Sequence, residues 1–171
     1  MRTFKYIFLF IFISCSSTKV VYDYDSAANF AKYTSFNYFE DAGNGLNGLD
    51  IKRVQQVLDQ QLKLKRITQS TSPAILVNFF VEKQPVQNRN TIGVGIGGGG
   101  NIGFDISGGI PITTVKIKEV FTLDFVDAEK NELLWQGVIS SEVRDNLKPE
   151  EKERHYQHII SKLLSKYPPK K

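Results

Sequence analysis

One glycine-rich run in the chain matches the spacing of a nucleotide-binding fingerprint. Gly93, Gly95 and Gly98 are arranged as G-x-G-x-x-G, a pattern that in dinucleotide-binding proteins brings backbone amides to a phosphate at the start of a helix. No helix is predicted to follow, because the next regular element is a strand from Thr114, and no Gly-Lys-Ser or Gly-Lys-Thr tripeptide appears. The pattern therefore predicts no nucleotide site.

The same run also alternates with a period of two residues. Its apolar side chains alternate with glycine or polar residues, as in an extended chain with one apolar face: Ile92, Val94, Ile96, Ile102, Phe104 and Ile106. We expect residues 91–112 to form a Gly-rich insertion, either a hairpin or a flexible loop. Because uncharged apolar edges favour pairing, these six positions are candidate contacts for a membrane, a second copy or a partner protein.

The two histidines of the chain form a local pattern that could bind a metal ion. His155 and His158 lie three residues apart in a predicted helix, and Glu151 lies one turn before His155, so the three could share one side of that helix. No further ligand is near in the sequence, and the histidines border the polar face. We interpret them as part of a solvated helix surface and predict no metal.

Paired carboxylates can act as an acid and a base, as in glycosidases. Glu40 with Asp41 and Asp23 with Asp25 are such pairs, but at strand ends they are ordinary solubilising residues. Serine is plentiful, yet no G-x-S-x-G nucleophile motif occurs. The sequence predicts no catalytic residue, no cofactor and no enzyme; an envelope hydrolase is the least favoured alternative.

The single cysteine, Cys15, follows a short apolar run near the N-terminus. Arg2 and Lys5 precede this run, which extends from Tyr6 to Ile13 and is too short to span a bilayer as a helix. Basic residues, a short apolar stretch and a small residue before the cut site indicate a secretory signal. The tetrapeptide FISC that ends at Cys15 resembles a bacterial lipobox, which predicts acyl chains on this cysteine. The alternative is a chance cysteine after an ordinary signal or an anchor helix.

This interpretation divides the chain into a signal peptide (1–14), a lipidated tether (15–19) and one domain (20–171). Acyl chains would hold the protein at a membrane, and a single cysteine excludes an internal disulfide. Loss of the signal leaves the chain nearly neutral, which does not favour nucleic-acid binding. The lysines at the C-terminal end could face anionic lipid, although a solvated helix end is the simpler interpretation.

Hydrophobic periodicity predicts the first elements of the domain. Short strands are expected at residues 20–24 and around Phe36 and Tyr38. An amphipathic helix follows, capped by Asn47 or Asp50, with apolar residues at helical spacing: Ile51, Val54, Leu58 and Leu62. The segment AILVNFFVEK then predicts a central strand, because it is dense in β-branched and aromatic residues.

The second half of the domain predicts a hairpin and a second helix. Residues 114–127 alternate between an apolar face and a wet face, the wet face holding Lys116, Lys118, Thr122 and Asp124. The segment LLWQGVISSEV returns as the hairpin partner, and an apolar stripe after Pro149 indicates a helix. We therefore predict an α+β fold: a two-layer sandwich of a mainly antiparallel sheet with two helices packed on one face, and a Gly-rich hairpin or loop insertion.

Several segments together resemble bacterial lipoproteins of the domain-of-unknown-function family 4136. The resemblance rests on the YDYD, KY and SF groups between Tyr22 and Phe36, on the LVNFFVE strand, on the FVDA and LLWQG hairpin and on the closing KYPP. It covers nearly the whole mature chain. It implies an envelope lipoprotein and brings no catalytic residues.

These observations predict a lipid-anchored envelope protein whose domain binds or scaffolds other envelope components. The alternative is a periplasmic module that holds a small apolar ligand in a pocket lined by Phe79, Phe121 and Trp135. Ser16 after Cys15, in place of an aspartate, favours the outer membrane, and the absence of acidic residues there favours its periplasmic leaflet. The expected partners are the membrane, through the anchor, and an envelope protein or a second copy.

Overall fold

The computed structural model describes residues 18–86 and 116–170, which form six strands and two α-helices. Cys15 and the predicted insertion at 91–112 lie outside the described residues. The elements in chain order are β1 (Lys19–Tyr24), β2 (Ser35–Tyr38), α1 (Gly48–Leu64), β3 (Thr68–Gln69), β4 (Ile75–Pro85), β5 (Lys116–Asp127), β6 (Leu133–Arg144) and α2 (Pro149–Leu164). A single 3-10 turn, Phe30–Lys32, lies between β1 and β2.

The six strands form one sheet in the order β1-β6-β5-β4-β2-β3, so the predicted α+β sandwich is confirmed. β4 pairs antiparallel with β5, β5 with β6 and β6 with β1, and the hairpin of β5 and β6 has the predicted connectivity. β2 instead pairs parallel with both β4 and β3. The sequence did not predict this, and the cause is α1, which carries the chain back across the sheet between β2 and β4.

Both helices lie on the same face of the sheet and enclose the core. α1 buries Val54, Leu58 and Leu62, three of the four predicted apolar positions. Asn47 is its N-cap and accepts backbone hydrogen bonds from Leu49 and Asp50, each at 3.0 Å. α2 buries Tyr156, Ile159, Ile160, Leu163 and Leu164. The periodicity of the sequence therefore identified the inner face of each helix.

The opposite face of the sheet differs from the uniformly wet surface that the alternation predicts. Thr122 is only 5% exposed, because Phe80 and Val138 flank it in register on the two neighbouring strands. Asp124 is half-buried and accepts a hydrogen bond from Gln136 at 2.9 Å. Burial raises the pKa of Asp124 above its ordinary value.

The loop after β2 follows the edge of β4 and completes the core. Gly43 donates its backbone N–H to the carbonyl of Phe79 at 2.7 Å, and the Asn44 carbonyl accepts from Val81 at 2.9 Å. Gly45 has a φ of +82°, a conformation that side chains with a Cβ rarely adopt. The turn can therefore approach the strand closely only with glycine at this position.

β4 and β5 remain paired as far as Val86 and Lys116, the described residues on either side of 87–115. The backbone N–H of Val86 donates to the carbonyl of Lys116 at 3.1 Å. The two positions that flank residues 87–115 are therefore hydrogen-bonded neighbours.

Candidate functional site

The three residues considered as metal ligands do not converge. Glu151 forms an ion pair with Arg144 and accepts the backbone N–H of Lys148 at the start of α2. His158 is exposed on the outer face of α2, whereas His155 turns towards the sheet. Among the described residues, no group of three or more His, Cys, Asp or Glu side chains could hold a metal ion.

His155 forms a pair with Glu119 that the sequence analysis missed. The Nε2 atom of His155 lies 2.7 Å from Oε1 of Glu119, and the two side chains are only 13% and 4% exposed. The solvated surface predicted for His155 is therefore wrong. The signal was present in the sequence, since Glu119 shares the inward parity of Ile117 and Phe121 in β5. A buried carboxylate requires a hydrogen-bond partner, which the imidazole supplies.

The surroundings of this pair offer little room for a substrate. Glu119 and His155 border a cavity of about 40 Å³, hardly more than the volume of one water molecule. The described lining residues include basic and aromatic side chains but no serine, threonine or cysteine. Burial, with the negative charges of Glu119 and Asp50, raises the pKa of Tyr156, so its hydroxyl stays protonated. The geometry fits a hydrogen-bonded contact between α2 and β5.

A second polar cluster joins the two helices around Asp50. This carboxylate is 1% exposed and accepts hydrogen bonds from Asn47, Arg53 and Lys152, each at 2.7–2.8 Å. Burial by itself would raise the pKa of Asp50, but Lys152, Arg53 and Asn47 together lower it below its ordinary value. The cluster links the start of α1 to the first turns of α2.

Replacement of Asp50 by asparagine is expected to destabilise the domain in a pH-dependent manner. A carboxyl whose pKa is lowered by folding stabilises the protein above its unfolded pKa, and this contribution is lost as the pH falls through the folded pKa. Asp50→Asn should therefore lower the free energy of unfolding by about 1–3 kcal/mol near neutral pH. The difference from the unmodified protein should shrink as the pH falls below about 4.

Urea denaturation of both proteins over this pH range measures the difference. Asp41→Asn is the matched control, because Asp41 is exposed and has no ion pair or side-chain hydrogen bond within residues 18–86 and 116–170. Its effect should be small at every pH. A difference for Asp50→Asn that stays constant with pH would show that the charge of Asp50 does not contribute as described.

One of the two predicted carboxylate pairs bonds to its own backbone, and the other lies exposed in a loop. Asp23 accepts the backbone N–H of Tyr24, and Asp25 accepts that of Ala27 in the following turn. Glu40 and Asp41 are exposed in the loop after β2. The exposed positions of these carboxylates fit the solubilising role that the sequence suggested, and Asp25 also stabilises a turn.

The pocket considered for a small apolar ligand is filled by side chains. Phe79, Phe121 and Trp135 are each 0% exposed. The rings of Phe79 and Phe121 stack with centroids 6.2 Å apart, and Trp135 packs against Phe125 and Tyr167 at 5.3 and 5.6 Å. The placement of Trp135 in the core is confirmed, and the three side chains are part of the packed interior of the described domain.

The outer face of α2 carries a row of basic residues, which we call the basic row: Arg154, His158, Lys162 and, just after the helix, Lys166. Their spacing of four residues aligns the first three along one side of the helix. Lys162 donates a hydrogen bond to the carbonyl of Thr18 at 2.8 Å. Lys162 in the basic row therefore lies beside the position where the chain enters β1. Among the described residues, no helix is long and apolar enough to cross a membrane.

Solved structures with a similar fold share little sequence with this chain. A crystal structure of a PDZ domain protein from Parabacteroides distasonis matches with a TM-score of 0.58 and 13% identity, over 90% of this chain and 37% of that one. This chain thus spans little more than a third of that protein. A PelC dodecamer from Paraburkholderia phytofirmans matches with a TM-score of 0.52 and 9% identity, over 86% of this chain and 95% of that one. A substituted form of the same dodecamer gives 0.53 and 10%.

At these identities the matches establish the fold alone. No curated protein matches the chain at a significant level. The sequence model of the DUF4136 family, described as a domain of unknown function, matches residues 20–169. This match extends over the whole described domain and includes the motifs on which the resemblance rested. The chain therefore belongs to the DUF4136 family.

Proposed function

We propose that the protein is a bacterial envelope lipoprotein, anchored by acyl chains on Cys15, whose domain is a non-enzymatic binding or scaffolding module. The observation that carries the proposal is that the fold begins only a few residues after Cys15. Thr18 lies three residues after Cys15 and leads directly into β1. Lys162 donates a hydrogen bond to the carbonyl of Thr18. Three residues span at most about 10 Å, so an acylated Cys15 would keep the domain at the membrane surface.

The interior of the domain supports a role without catalysis. The inner face of the sheet is filled by large apolar side chains, and the pair of Glu119 and His155 borders only a small cavity. Ligand sites are usually much larger concave pockets. A filled core therefore favours a module that acts through its surface over a carrier for a small apolar ligand.

The contact surface that we propose is the set of apolar positions in the insertion, Ile92, Val94, Ile96, Ile102, Phe104 and Ile106. Their alternation with glycine supports this assignment. The similarity to the subunit of a PelC dodecamer is compatible with a second copy as the partner, and an envelope protein is the other partner that we consider. We propose the periplasmic leaflet of the outer membrane as the location, because Ser16 follows Cys15.

The N-terminal peptide of the purified native protein tests the anchor. Trypsin cleaves after Lys19, so mass spectrometry should find the peptide Cys15–Lys19 with acyl chains on the sulfur and the amine. The protein should fractionate with membranes, and Cys15→Ser should abolish the acylated peptide. Ser17→Ala is the control that leaves it intact. A peptide Tyr6–Lys19 with a free thiol, or soluble protein, would contradict the proposal.

Photo-crosslinking in cells tests the binding role. Crosslinkers at Ile96 and Phe104 should capture an envelope protein or a second copy. A crosslinker at Lys130, exposed in the turn between β5 and β6, is the matched control. Recovery of monomer alone from Ile96 and Phe104 would exclude the insertion as the contact surface.

A further inference from the structure

The C-terminal part of the described chain contains basic residues and no acidic ones. Between Arg154 and Lys170 the sequence contains four lysine or arginine residues, two histidines and no aspartate or glutamate. Three of the four fixed charges belong to the basic row: Arg154, Lys162 and Lys166. The row therefore carries positive charge, and the acidic residues of α2 all lie before it, at Glu150, Glu151 and Glu153.

These cations also lack acidic partners elsewhere in residues 18–86 and 116–170. Other cations nearby are paired, since Lys152 binds Asp50 and Arg144 binds Glu151. Arg154 and Lys166 are exposed and form no ion pair with a described carboxylate, and Lys162 contacts only the Thr18 carbonyl. The basic row is therefore open to an anionic partner.

The position of the row indicates which anion it meets. The contact between Lys162 and Thr18 places the C-terminal part of the row beside the start of β1, three residues after Cys15. The charge changes sign along the same strand, because Lys19 lies at its start whereas the exposed Asp23 and Asp25 lie near its end. A membrane at the start of β1 would thus meet cations, with the carboxylates turned away.

We propose that the basic row docks on the anionic phospholipid headgroups of the leaflet that holds the lipid anchor. The proposal rests on the acylation of Cys15 proposed above. The short tether keeps Thr18, and with it Lys162, within about 10 Å of the surface, roughly one Debye length, where charge attraction is only partly screened. Arg154 suits a phosphate group, because guanidinium donates two parallel hydrogen bonds to phosphate oxygens. Docking would fix the orientation of the domain on the membrane.

Energy transfer in proteoliposomes tests this docking. The acylated protein carries a donor dye at Gln157→Cys, which lies in the open groove lined by Arg154, His158 and Lys162, and the headgroups carry an acceptor. Transfer should be stronger in phosphatidylcholine with about 30% phosphatidylglycerol than in phosphatidylcholine alone. It should fall to the neutral-lipid level at about 1 M salt, where the Debye length is about 3 Å.

Removal of two charges from the row should weaken docking. Each basic residue near an anionic surface contributes about fivefold, so Arg154→Gln with Lys166→Gln should lower the ratio of docked to undocked protein by about 30-fold. The matched control removes the exposed Lys52 and Lys63 of α1 and should have no effect. Both double variants retain Lys162 and its contact with Thr18.

These outcomes distinguish the proposed docking of the basic row from the proposed acylation of Cys15. Acylated protein with equal transfer in neutral and anionic vesicles, or with no response to the double variant, would overturn the docking surface and leave the anchor intact. Mass spectrometry of the peptide Cys15–Lys19 in the same preparation checks the anchor itself. A free thiol there would overturn the proposed function and the docking together.

Discussion

Replacement of Trp135 by alanine is expected to lower the free energy of unfolding by about 3–5 kcal/mol, the range for removal of a large buried aromatic side chain. The indole is fully buried and lies at the junction of β5, β6 and the segment after α2, through Phe125 and Tyr167. A cavity at this junction would weaken the packing between these three elements. Urea denaturation should show a lower midpoint with an unchanged slope.

Trp135→Phe is the matched variant. It keeps an aromatic ring and removes the indole N–H, which is buried without a hydrogen-bond partner among the described residues. Its cost should therefore be clearly smaller than that of Trp135→Ala, because the phenyl ring leaves a smaller cavity, whereas the unpaired N–H is removed in both variants. Equal losses for the two variants would contradict the account of Trp135 as a packing residue.

Replacement of Gly45 by alanine should cost roughly 3 kcal/mol for two separate reasons. The φ of +82° is strained for any residue with a Cβ. The added Cβ would also overlap the backbone carbonyl oxygen of Val81 in β4, and a backbone atom in a sheet cannot move aside cheaply. The loop would have to leave the edge of the strand. Thermal and urea denaturation measure the loss.

Gly48→Ala provides the control for this substitution in the same segment. Gly48 opens α1, and a Cβ there would meet nothing within 4 Å. Alanine is the better helix former, so the variant should be neutral or slightly more stable. A loss at Gly48 equal to that at Gly45 would show that the close approach to Val81 is not what requires glycine.

Local patterns in the sequence identified most of the fold. Alternation predicted the hairpin of β5 and β6, and helical spacing predicted both helices with their inner faces. Asn47 was one of two candidate caps and is the one used. These features depend on neighbouring residues, whose periodicity is set by the geometry of a strand or a helix. A single sequence is therefore enough to predict these features.

Contacts between distant segments could not be predicted in the same way. The parallel pairing of β2 depends on the path of the chain through α1, and the burial of Thr122 depends on which strands flank it. His155 and Glu119 are 36 residues apart, so helical spacing pointed to Glu151 and missed the true partner. A carboxylate at an inward strand position was the one available signal.

The hydrogen bond between Val86 and Lys116 has a consequence for how the protein can vary. Because the two ends of residues 87–115 are neighbours on paired strands, the entropic cost of closing that segment rises only slowly with its length. The segment can be lengthened, shortened or exchanged while the strand register below it is kept. The paired strands thus form a platform whose geometry does not depend on how many residues join Val86 to Lys116.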